Sequence, residues 1–195
     1  MAVAQEAARL MQEHGQRDFR AAKAKAGQRL GLADQGVLPS NEEVASAMAA
    51  HNRIFRGEDH EGILDALRRA ALGLMNELAA FDPRLVGTVL SGHANETGVI
   101  ELHVFSDAAE EVGTLLDEIG LPKRACDNRL RIRSDEWKSF PGYHCRQGDF
   151  EFTLSVFPER GRGNAPLSAV DGRPMRRAKP REVAALLAQR SPTST

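Results

Sequence analysis

The stretch that most constrains the fold of this 195-residue chain runs from Leu85 to Phe105, Leu-Val-Gly-Thr-Val-Leu-Ser-Gly-His-Ala-Asn-Glu-Thr-Gly-Val-Ile-Glu-Leu-His-Val-Phe. It reads as a strand over about 85–91 that ends at Gly92, a short polar turn, and a second strand over 98–105. Side chains alternate along a strand, so Glu101 and His103 share one face while Ile100, Leu102 and Val104 share the other. Such a strand demands a core on one side and leaves an acid and an imidazole on the other.

The elements around it follow from periodicity and punctuation. Residues 4–30 are Ala-rich with apolar positions at helical spacing, which predicts a helix broken near Gly15. Gly31 to Pro39 reads as a linker. Ser40 and Glu43 form a capping box for a second helix that stops by Gly57. A third, about 61–81, ends before Asp82-Pro83, because the residue before proline is pushed out of the helical region. A helix over about 107–119, capped by Ser106 or Asp107, closes at Gly120. Alternation then predicts strands at 129–133, 143–146 and 150–157, the last two joined through Gln147-Gly148-Asp149 as a hairpin. A Gly/Pro-rich loop, 160–177, leads to a closing helix over 179–189. The order is three helices, a β-β-α-β-β-β unit, then a loop and a helix. The expected fold class is α/β (α+β), with N-terminal helices packed on a small mixed sheet. The chain divides into a helical region 1–60, a core 61–157, and a basic loop with its helix 158–195.

Hydrophobic residues at 42% suffice for a core, and a net charge of −1 gives no global pull toward nucleic acid or anionic membrane. No apolar run reaches the roughly 18 residues of a membrane span. The N-terminus lacks the basic-then-apolar order of a signal peptide, and the two cysteines, Cys126 and Cys145, are not spaced as a Cys-x-x-Cys pair. The expectation is a cytoplasmic protein with no membrane partner. Charge is uneven along the chain. Residues 101–120 carry six acids and no Lys or Arg, while 158–190 carry eight basic residues against three acids. That asymmetry suits an anionic ligand held near a metal, while composition alone favours ordinary segregation of surface charge.

If the strand at 98–105 lies beside that at 150–157, then Glu101, His103 and Glu151 meet on one face. Two carboxylates and an imidazole can hold a divalent ion, and the same residues also suit the solvated face of a half-exposed strand. Arg160-Gly-Arg162-Gly-Asn has the composition of a phosphate clasp or of a solvated basic loop. Trp137, Phe140, Pro141 and Tyr143 form either the floor of a base pocket or a packed loop. Gly-x-Ser-x-Gly, Walker-type, His-Glu-x-x-His and zinc-spaced motifs are missing from the sequence. A His144-Cys145 nucleophile fails because adjacent strand residues face opposite ways.

A helix feeding a strand that ends in glycine, a second strand with an acid-x-polar pair, and a third acid on a later strand resembles the polymerase-beta-like nucleotidyltransferase superfamily over about 61–157. The wording of Phe81-Asp-Pro-Arg-Leu-Val-Gly, Leu102-His-Val-Phe-Ser-Asp and Ala165-Pro-Leu-Ser-Ala-Val-Asp-Gly-Arg-Pro-Met-Arg-Arg is similar to that of proteobacterial proteins carrying a nucleotidyltransferase-like domain. The resemblance implies a sheet of nucleotidyltransferase type, NTP binding, and metal-dependent nucleotidyl transfer to an unknown acceptor, with RNA and protein as the candidates. It implies catalytic and Mg²⁺- or Mn²⁺-binding roles for Glu101, His103 and Glu151. Nucleotide contacts fall to Gly92, His93, Arg160 and Arg162. The motif is degenerate: His93 stands where the superfamily has a Ser, and His103 where it has an acid. A catalytically inactive binding or regulatory module is therefore the alternative.

Overall fold

The computed structural model describes residues 2–13, 18–32, 38–55, 57–95 and 98–189. Among them, seven helices and a five-stranded mixed sheet make an α/β fold. The predicted N-terminal helix is two helices, α1 (Ala2–Glu13) and α2 (Phe19–Arg29), and the predicted break at Gly15 lies outside the described residues. Asp18 starts α2 by accepting from the Arg20 and Ala21 backbone N–H groups at 2.8 and 3.3 Å. The capping box forms at α3 (Asn41–Phe55): Glu43 N donates to Ser40 Oγ at 3.0 Å, and Ser40 N donates to Glu43 Oε2 at 2.7 Å. Helix α4 (Gly57–Glu77) starts earlier than periodicity suggests and ends in a 3₁₀ turn over Ala79–Phe81.

The first strand is shorter than its apolar run implies. β1 covers Arg84–Val86, and at Gly87 the chain enters a short helix, α5 (Gly87–Ser91). Gly87 has φ +71°, which a residue with a Cβ adopts only under strain. A short apolar run cannot by itself separate strand from helix, and Val89 and Leu90 are buried in the helical form. Next come β2 (Ile100–Phe105), α6 (Ala109–Glu118) and a long hairpin of β3 (Lys123–Arg133) and β4 (Glu136–Gln147). β5 (Phe150–Phe157) and α7 (Pro180–Ala188) complete the chain. The predicted strands at 129–133 and 143–146 are thus only the ends of β3 and β4. Pro141 reads as a strand breaker. It is tolerated because it lies one residue beyond the last β4–β5 pair, Gly142 with Ser155. Past that point β3 and β4 run on as a two-stranded arm.

Strand order is β1-β2-β5-β4-β3, with β2 and β5 parallel and the other pairs antiparallel. One face packs under α4, α6 and α7. Leu85, Ile100, Leu102, Val104, Phe152, Leu154 and Val156 on that face are at most 2% exposed. Leu74, Met75, Leu116 and Val183 of the helices meet them in one core. Fully burying one such side chain stabilises by about 1.5–3 kcal/mol, so this face anchors the sheet. The C-terminal segment joins the same core. Leu85 and Ala178 exchange backbone hydrogen bonds at 2.9 Å, which adds a bridge to the β1 edge just before α7. Helices α1–α3 bury a second cluster around Ala7, Leu10, Ala22, Ala26 and Val44. Both cysteines are free. No helix among the described residues is long and apolar enough to cross a membrane.

Candidate functional site

The opposite face of the sheet carries Glu101, His103 and Phe105 of β2 beside Thr153, Ser155 and Phe157 of β5, in register. Glu101 pairs across β1 with Val86, the residue before Gly87. Its carboxylate folds over the Gly87 backbone so closely that a Cβ built there would overlap Oε2 and lie 3.0 Å from Cδ. Glycine is required at 87 both by its φ and by this approach.

The predicted Glu101–His103–Glu151 metal cluster does not assemble, and among the described residues no three His, Cys, Asp or Glu side chains converge as ligands. Two structural reasons account for this. In the β2–β5 register Glu101 lies opposite Thr153, which leaves Glu151 two residues away and exposed. His103 is 3% exposed, and its Nδ1 accepts a hydrogen bond from Arg177 Nε at 3.0 Å. The ring also packs on Phe157 with centroids 4.6 Å apart. Burial and then the Arg177 cation push the His103 pKa down to about 3, so the imidazole is neutral with its proton on Nε2.

The Gly92–His93 turn closes α5 rather than a strand. Gly92 is the C-cap at φ +83°, and His93 N donates to Thr88 O at 2.9 Å. His60 Nε2 sits 3.1 Å from Gly92 O, and the buried Arg68 donates through Nε to Val89 O at 3.2 Å. Both basic side chains come from α4 and satisfy the last carbonyls of α5, where the helix dipole favours positive charge. Burial, and secondarily His60, lower the pKa of His93.

A cavity of about 1030 Å³ opens over this sheet face beneath the N-terminal helices. From the β1–β2 edge come Gly87, Thr88, His93 and Glu101, with Glu151 from β5. From the hairpin arm come Arg129, Arg131 and Trp137, and from α2 come Arg20 and Lys23. Trp137 is 52% exposed and carries the Arg129 guanidinium 5.6 Å from its ring centroid. The cavity thus has Glu101 and Glu151 on β2 and β5, and four cations with an aromatic ring on the hairpin arm and α2, where Asp18 also lines it. That combination suits a base attached to phosphates. Arg160 and Arg162 do not line it. Arg160 lies within the 3₁₀ turn Glu159–Gly161 and Arg162 caps it, where the Gly161 and Arg162 carbonyls accept from Arg177.

Sequence reading missed Gly87 and Thr88, although the signal was present: a glycine followed by a small hydroxyl, directly after an apolar strand. It also missed Arg177, whose contact with His103 spans 74 residues of chain. Models of known protein families give no match to this chain, and curated protein sequences give none either.

Proposed function

We propose that this chain is a nucleotidyltransferase-fold module that binds a nucleotide in the cavity over β2 and β5 without carrying out metal-dependent nucleotidyl transfer. The observation that carries this reading is the 3.0 Å hydrogen bond from Arg177 Nε to His103 Nδ1. The position two residues after Glu101 on β2 is where the resemblance asks for a second acidic metal ligand. Here it holds a neutral ring whose available lone pair is engaged by a guanidinium. A cation fixed beside that ring opposes a second cation in the same place. Glu101 remains a single carboxylate in position, and its β5 neighbours in register are Thr153 and Ser155 rather than acids. The residues present do not fit a two-metal centre.

Support for nucleotide binding lies in the strand–short helix–strand arrangement around Gly87-Thr88, which supplies the glycine and small hydroxyl that Gly92-His93 does not. The exposed Trp137 offers a stacking face, and Arg131, Arg20 and Lys23 offer phosphate contacts. Calorimetric titration with each NTP, first in EDTA and then with Mg²⁺ or Mn²⁺, tests the proposal. Binding in EDTA that Arg131→Ala weakens and Glu101→Ala retains is the expected result. Binding that appears only with metal and vanishes in Glu101→Ala, or release of pyrophosphate, would overturn it.

A further inference from the structure

Three guanidiniums gather around one aromatic ring at the end of β2. Arg177 Cζ lies 5.1 Å from the Phe105 centroid and 4.7 Å from that of Phe157. Arg84 and Arg162 lie 5.9 and 5.8 Å from Phe105. They come from β1, from the turn after β5, and from the loop before α7, so tertiary folding alone brings them together. Like charges held this closely repel unless anions intervene.

Two of the three have a carboxylate. Asp82 accepts from Arg84 Nη1 and Nη2 at 2.5 and 2.6 Å and stands 3.5 Å from Arg162 Nε. Glu159 lies 3.3 Å from Arg162 Nη2. Among the described residues Arg177 has only neutral acceptors: His103 Nδ1, and the carbonyls of Gly161 at 3.3 Å and Arg162 at 3.2 Å. Its Nη2 is buried with no hydrogen-bond partner among the described residues. Burial, and then the charge of Arg84, lower the Arg177 pKa to about 10. An anion at the rim would supply the missing negative charge.

We propose that this cluster is a binding site for a phosphate group, with Arg162 donating at the open rim and Arg84 and Arg177 adding positive charge behind it. A tetrahedral phosphate presents several oxygens at once, which suits guanidiniums approaching from different directions. The rim is open to solvent, since the Arg162 and Asp82 side chains are 43% and 39% exposed. None of the three arginines lines the cavity assigned to the nucleotide, and Arg162 has no part in that reading, so Arg162→Ala tests this site separately although Arg177 also engages His103.

The test is calorimetric titration of the full chain with inorganic phosphate, in EDTA at fixed ionic strength, with AMP as a second titrant. Saturable phosphate binding is expected, weakened about tenfold in Arg162→Ala, as for loss of one charge-assisted hydrogen bond. Arg177→Gln should abolish it. Should that buried substitution prevent folding, the exposed Arg162→Ala decides alone. Equal affinities for phosphate and AMP, both weakened about tenfold in Arg162→Ala, identify free phosphate as sufficient. Tighter AMP binding with the same tenfold weakening identifies a nucleotide phosphate. Absence of saturable phosphate binding, or an affinity unchanged in Arg162→Ala, overturns the proposal.

Discussion

Acidification from pH 7 should destabilise this protein chiefly through His103. In the unfolded chain its imidazole titrates near 6.5, whereas in the fold burial and Arg177 hold it at about 3. Between those values the unfolded state binds a proton that the native state refuses, so stability rises with pH across the window and falls as pH drops through it. A pKa difference of one unit corresponds to about 1.4 kcal/mol, so moving from pH 7 to about pH 4.5 should remove about 2–3 kcal/mol. For a chain of this size that is roughly 5–10 °C in Tm. His93 and carboxylates such as Asp82, whose pKa values are also lowered, contribute their own acid sensitivity, and a variant separates His103 from them. His103→Asn places an amide oxygen near the position of Nδ1, which keeps an acceptor for Arg177 and removes the titration. It should be less stable than the parent at pH 7, because it leaves a void, yet lose about 2–3 kcal/mol less on acidification. Urea unfolding of both proteins at a series of pH values gives the comparison. Parallel stability curves for parent and variant, or an NMR titration of His103 centred near 6.5, would refute the assignment of a buried neutral imidazole.

Gly87→Ala should cost about 1–2 kcal/mol from the left-handed backbone alone. Displacement of Glu101 should add to this, and that added part should vanish when the substitution is made in a Glu101→Ala background, as thermal unfolding of the four proteins would reveal. Ser40→Ala removes the acceptor for Glu43 N and should lower stability by about 1 kcal/mol in a urea titration. Trp137→Ala should leave stability within about 0.5 kcal/mol, because the ring is exposed. It should weaken nucleotide binding by the roughly 1–3 kcal/mol of a lost stacking surface in calorimetry.

Much of the element order is legible in the chain. The apolar set Ile100, Leu102, Val104 demanded a buried strand face, the Ser40–Glu43 pair a helix start, and Gln147-Gly148-Asp149 a hairpin turn. These signals are local, since periodicity and capping operate within a few residues. Boundaries failed where two readings share one local pattern. Val89 and Leu90 fit a strand or a short helix, and only the φ of Gly87 settles which. Pro141 suggests a break until the staggered end of β5 removes the conflict.

The face shared by Glu101 and His103 follows from alternation and needs nothing beyond the sequence. Alternation also put Glu151 on its predicted face but could not set the register between β2 and β5, which opposes Glu101 to Thr153. Register depends on how two strands slide to bury both apolar sets at once, and that is a property of the packed sheet. The chemistry of His103 was least legible of all. Its residue type allows a ligand, a base or a core side chain, and the choice belongs to Arg177, far away in sequence and brought near by the loop that runs into α7. The sequence by itself determined which side chains share a face, because that geometry is written into the backbone period. The tertiary structure alone decided what those side chains touch, because burial and charge pairing arise only where distant segments meet.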